Sequence, residues 1–191
     1  MRQAGLLLIT GAALATAACA TEGDPTEPAA TADSGPIVST IGPPALNADL
    51  RDAQGRSRAR ATVEQSGDSL RVRIEATGMT AGAYGAHIHT TGRCDAPAFT
   101  TAGPHWNPTG QMHGKDNPKG MHKGDLPNLM VGADGRGSLE YTIPHAILSG
   151  MLPTKLVDED GAAVVIHARA DDYRTDPSGN SGDRIACGVL G

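Results

Sequence analysis

Residues 70–76 read LRVRIEA, and their alternation is strict: Leu70, Val72, Ile74 and Ala76 fall on one face, Arg71, Arg73 and Glu75 on the other. Successive side chains of an extended chain leave opposite faces, so this run is a strand with one face in a core and the other in water. Working back from it, residues 66–68 (SGD) interrupt the chain, and residues 46–51 and 57–65 flank DAQGR, a glycine-containing turn of hairpin type. Working forward, MTAGAYG turns the chain into AHIH at 86–89. Residues 126–143 read as strand, tight turn at ADGRG, and strand. A long connection with room for a short helical turn spans 144–160, followed by the buried strand AVVIHA. A polar loop occupies 171–183, and RIACGVL closes the chain as a last strand. About eight short antiparallel strands with long loops predict an all-β Greek-key sandwich or barrel.

Composition agrees with this. The chain has 25 Gly and 13 Pro, which supply many turns, and only 3% aromatic residues, so Val, Leu, Ile and Ala must build the core. A formal net charge of −5 argues against a nucleic-acid partner, which would require a basic surface.

Residues 1–19 carry Arg2, an apolar stretch and then small residues, the pattern of an export signal. Cleavage after Ala18 would leave Cys19 first, in a T-A-A-C context similar to a bacterial lipobox but without its usual leucine. Cleavage after Ala20 would discard the cysteine. The first reading is favoured and makes Cys19 a candidate lipidation site, the membrane contact being that anchor alone. Residues 20–36 have almost no large apolar side chains and are expected to be a disordered linker to a folded domain at 37–191. With Cys19 lipidated or removed, Cys94 and Cys187 form an even pair in an oxidising compartment, the periplasm or cell envelope.

The stretch 87–125, HIHTTGRCDAPAFTTAGPHWNPTGQMHGKDNPKGMHKGD, holds five of the seven histidines. His87 and His89 are two apart on a predicted strand and leave the same face, so they can bind one ion without bending the backbone. His167, in a second apolar strand, can approach that ion from across the sheet. A single histidine in an apolar strand is more often a satisfied core residue, but the HIH pair argues otherwise. His105, His113, His122 and Asp125 lie in a segment without strand or helix pattern. Three imidazoles and a carboxylate make a closed set suited to zinc, and a loop this long needs something to order it.

The runs GAHIH, AGPHWNP, MHG, HKGDLPNL, VVIHARADD and GDRIACGV together resemble the copper/zinc superoxide dismutase family over about residues 45–191. The resemblance implies copper on His87, His89, His105 and His167. It implies zinc on His105, His113, His122 and Asp125, with His105 shared between the ions. It further implies a Cys94–Cys187 disulfide, an active-site Arg184, and Asp171 as a carboxylate linking His87 to His113. Superoxide is the implied substrate. The early Cys94 and the short loop between His167 and Arg184 resemble bacterial members. Two non-enzymatic readings use the same fold, a copper-delivery module and a zinc-stiffened envelope lipoprotein; the chain lacks no ligand and no arginine, which favours the enzyme.

Trp106 is expected to pack, His145 to lie on the surface, and Met112 and Met121 to be surface methionines. An anionic substrate conflicts with a negative chain. Lys115, Lys119, Lys123, Arg169 and Arg174 are therefore candidates for a local positive mouth around Arg184. Oligomeric state is left open.

Overall fold

The computed structural model describes residues 44–191; the expected export signal, Cys19 and the linker lie outside the described residues, as do residues 37–43 of the expected domain. Nine antiparallel strands form one sheet: β1 (Ala45–Arg51), β2 (Ser57–Ser66), β3 (Ser69–Ala76), β4 (Gly82–Tyr84), β5 (Ala86–His89), β6 (Leu129–Val131), β7 (Gly137–Pro144), β8 (Ala163–His167) and β9 (Arg184–Val189). Their order across the sheet is β4-β6-β7-β3-β2-β1-β9-β8-β5. The two end strands, β4 and β5, are separated in the chain by Gly85 alone, so the sheet curls into a nearly closed barrel.

The alternation in β3 sets the barrel interior. Leu70, Val72 and Ile74 are fully buried, and they face Ile143, Tyr141 and Leu139 of β7 and Gln65, Val63 and Ala61 of β2. Burying an aliphatic side chain of this size contributes about 1.5–3 kcal/mol. The outward partners are polar: Arg60 opposes Glu75 and Glu64 opposes Arg71, opposite charges that favour this register.

Two elements differ from the sequence reading. A short strand, β4, lies inside the expected turn 79–85, giving nine strands rather than about eight. The connection 144–160 holds turns and bends but no helix; the only helical turn among the described residues is 3-10, at Thr100–Ala102.

β5 and β8 position the site. Ile88, Val164 and Ile166 join the main core, whereas Ala163 and Val165 join a smaller cluster with Phe99, Ala102 and Cys187 on the other side. By the same parity His87, His89 and His167 leave the barrel core and lie under the long loops. The Cys94–Cys187 disulfide, with Cα atoms 5.6 Å apart, ties the loop after β5 to β9.

Candidate metal centre

The free edge of β5 is laddered by two pieces of the long loop. Thr90 N–H donates to Pro104, Trp106 N–H to Ile88, Ile88 N–H to Gly124 and Leu126 N–H to Ala86. These bonds place His105 opposite His89 and Asp125 opposite His87. Gly124 allows the close approach, since a Cβ there would run into the Ile88 carbonyl and the Trp106 backbone. Trp106 is buried in the core beside it, and His145 is exposed against Asp68.

His87, His89, His105 and His167 are all buried and present ring nitrogens that lie within 4.8 Å of one another. Main-chain carbonyls and carboxylates engage their outer nitrogens. His89 Nδ1 donates to the Gly103 carbonyl at 2.8 Å and His167 Nδ1 to the Gly182 carbonyl at 3.1 Å. His87 Nε2 lies 2.8 Å from Asp171 Oδ2, and His105 Nδ1 lies 3.0 Å from Asp125 Oδ1. His87, His89 and His167 therefore carry their proton on the outer nitrogen and turn a lone pair inward, while His105 turns Nε2 inward and Nδ1 toward Asp125. The inner atoms, His87 Nδ1 and Nε2 of His89, His105 and His167, are the four buried side-chain polar atoms without a hydrogen-bond partner among the described residues.

Burial keeps these imidazoles neutral: it pushes His87 down to about 3 and His167 to about 4, and lowers His89 and His105 as well. An orphaned buried polar atom is costly, and four lone pairs converging on one point fit a bound cation of the imidazole-preferring kind.

The second set centres on Asp125. Its Oδ1 lies 3.0 Å from Nδ1 of His105, 3.0 Å from Nδ1 of His113 and 3.1 Å from Nδ1 of His122, and its Oδ2 accepts the Gly114 and His122 N–H groups. Burial would raise the Asp125 carboxyl, but the three imidazoles hold it far below the ordinary range. On distance alone His87 also groups with His105, His113 and Asp125. Its outer nitrogen is engaged by Asp171 and its inner one faces the first set, whereas His122 turns Nδ1 to the same Asp125 oxygen as His105 and His113. Three nitrogens and a carboxylate at these separations fit a tetrahedral ion.

Asp171 stands between the two sets, with Oδ2 on His87 and Oδ1 3.0 Å from His113 Nε2. Gly179 lies so close that a Cβ there would overlap both Asp171 and His113. Burial would lower the His113 imidazole, yet the two carboxylates raise it to about 9. Arg184 is half-buried. It donates to the carbonyls of Phe99 and Gly103, each at 2.7 Å, and Gly103 is thus shared with His89.

Three supports escaped the sequence reading. The Asn128 side chain clamps the Asp171 backbone through both its N–H and its carbonyl, and Asn128 N–H donates to the Tyr173 hydroxyl. Asp176 Oδ1 accepts the His113 N–H at 2.6 Å. Asn128 follows two ligands in a loop where an amide looks like turn chemistry, and only the fold shows what it holds. Of the lysines expected near the mouth, Lys115 pairs with Asp116 and covers Tyr173, while Lys123 reaches the Pro144 carbonyl at the end of β7.

Residues 57–190 match the family model described as copper/zinc superoxide dismutase (SODC). The Bacillus subtilis (strain 168) superoxide dismutase-like protein YojM is 39% identical over 188 residues, covering 97% of this chain and 94% of that protein. The superoxide dismutase [Cu-Zn] of Deinococcus radiodurans is 41% identical over 162 residues, covering 78% of this chain and 86% of that one. A crystal structure of a SOD-like protein from Bacillus subtilis matches with a TM-score of 0.71 at 40% identity, over 75% of this chain and 97% of that one.

Proposed function

This chain belongs to the copper/zinc superoxide dismutase family, and on that basis we propose that it converts superoxide to dioxygen and hydrogen peroxide. His87, His89, His105 and His167 would hold copper; His105, His113, His122 and Asp125 would hold zinc. Bound copper supplies an ion that takes an electron from one superoxide and returns it to another, whereas zinc does not change oxidation state. The observation that carries the reading is the convergence of four unpartnered imidazole nitrogens beside an arginine that has no carboxylate partner among the described residues.

The chain's own groups have separable tasks. Arg184 keeps a permanent positive charge at the site and can dock one superoxide oxygen; its anchors on Phe99 and Gly103 fix the guanidinium and leave other N–H groups for the anion. His105 faces the first set with Nε2 and the second with Nδ1, so its Nε2 is the atom at which a proton can be taken up and handed to reduced substrate. Asp171 orients the outer faces of His87 and His113.

The disulfide fits an oxidising compartment, and we propose export to the periplasm or cell envelope, with Cys19 as the lipid anchor. A second reading, copper binding without turnover, draws on the relative called superoxide dismutase-like. Metal analysis of purified protein with a direct superoxide-decay assay separates the two. One copper and one zinc per chain with fast decay are expected. Full copper with decay no faster than the spontaneous rate would leave the binding reading.

A further inference from the structure

The family reading makes Arg184 the group that draws in an anion, yet the residue before it is acidic. Asp183 is exposed, and among the described residues its carboxylate has no hydrogen-bond or ion-pair partner; only its main-chain carbonyl is engaged, by Ala168 N–H. Asp183 and Arg184 line the same surface cavity of about 610 Å³, with Gly182, Pro97, Ala98 and Thr100. The other lining residues carry no charge. Across the strand pair, the Arg169 guanidinium packs over Gly182 and donates to the Asn180 carbonyl, also without a carboxylate partner. The neighbouring acids are otherwise occupied: Asp172 is tied to Thr175 and Asn180, and Asp176 to His113.

We propose that Asp183 sets the charge of the anion mouth, offsetting part of the attraction of Arg184 and Arg169 and so limiting how strongly small anions enter. This rests on the dismutase reading and deepens it: Asp183 touches no reacting atom, and it acts through the field at the cavity. As a general scale, a like charge at about 8 Å in water changes the binding of a monoanion by roughly two- to threefold, an effect that salt screens.

The test is azide affinity, read from the copper absorption of fully metal-loaded protein at low ionic strength. Asp183→Asn should bind azide about two- to threefold more tightly than the parent, and the gain should vanish at about 0.5 M salt. Asp183→Glu, which keeps the charge, should match the parent. Unchanged affinity in Asp183→Asn would overturn the proposal, as would an equal gain in Asp183→Glu, which would make the effect steric. Should Asp183→Asn fail to fold, Asp183→Ser replaces it with the same expected gain. Azide binding needs no turnover, so a protein that consumes no superoxide would sink the dismutase reading and leave this comparison intact.

Discussion

Asp125 gathers three imidazoles on one carboxylate oxygen and two main-chain N–H groups on the other. Removing it leaves buried partners without an acceptor, a change that costs about 3–5 kcal/mol for buried charged pairs. Asp125→Ala is therefore expected to lose zinc and to melt at markedly lower temperature while copper content holds, as measured by metal analysis and calorimetry. Unaltered zinc content would remove Asp125 from the ligand set. At this scale the gathering of the histidines was legible in the sequence, because imidazoles and carboxylates that converge in a fold can be picked out by residue type and spacing. The groups that fix the tautomers of His89 and His167 were not, because the carbonyls of Gly103 and Gly182 are main-chain atoms that any residue would supply.

Among the elements, β3 and β8 could be read directly, one from strict alternation and the other from a continuous apolar run. β4 could not: three residues, Gly82, Ala83 and Tyr84, carry no periodicity, and the strand exists because Leu129–Val131 lies beside it. The β1–β2 turn offers a test of its own. Burial would raise the Asp52 carboxyl, but bonds from Arg56 and Arg58 hold it down at about 2. A carboxyl lowered on folding stabilises the native state above its ordinary value, 3.8, and that contribution fades as pH falls from there toward 2. The melting-temperature gap between parent and Asp52→Asn should accordingly be widest near neutrality and close toward pH 2. A constant gap would show that the carboxylate's charge is not what matters. The disulfide acts between elements. It spans 93 residues, for which chain entropy gives roughly 4–5 kcal/mol, so Cys94→Ser should lower both stability and activity under non-reducing conditions. An unchanged melting temperature would contradict this.

For the whole molecule the question is how a chain of net charge −5 would serve the anionic substrate proposed for it. Net charge is a sum over the surface, whereas steering depends on charges within about a Debye length of the entrance, about 10 Å at 0.1 M salt. Lys115, Lys119 and Lys123 lie close together in the chain, but Lys115 pairs with Asp116 over Tyr173 while Lys123 reaches the Pro144 carbonyl. Lys123 is held at Pro144, at the end of β7, and β7 is separated from β9 by β3, β2 and β1 in the sheet. Arg169 instead packs on Gly182, two residues before Arg184, with no carboxylate to neutralise it among the described residues. Reversing a charge there changes the local field by two units, worth roughly fivefold in water at about 8 Å. Arg169→Glu should therefore slow the second-order reaction with superoxide by about that factor at low ionic strength and flatten its decline with salt. Lys123→Glu should change the rate by less than about twofold. Arg184→Glu should cost more than either, because the docking contact goes with the charge. Pulse-radiolysis rates over a salt series, with metal content matched, decide the matter. Equal effects of Arg169→Glu and Lys123→Glu would mean that the substrate responds to the overall charge rather than to a mouth built around β9.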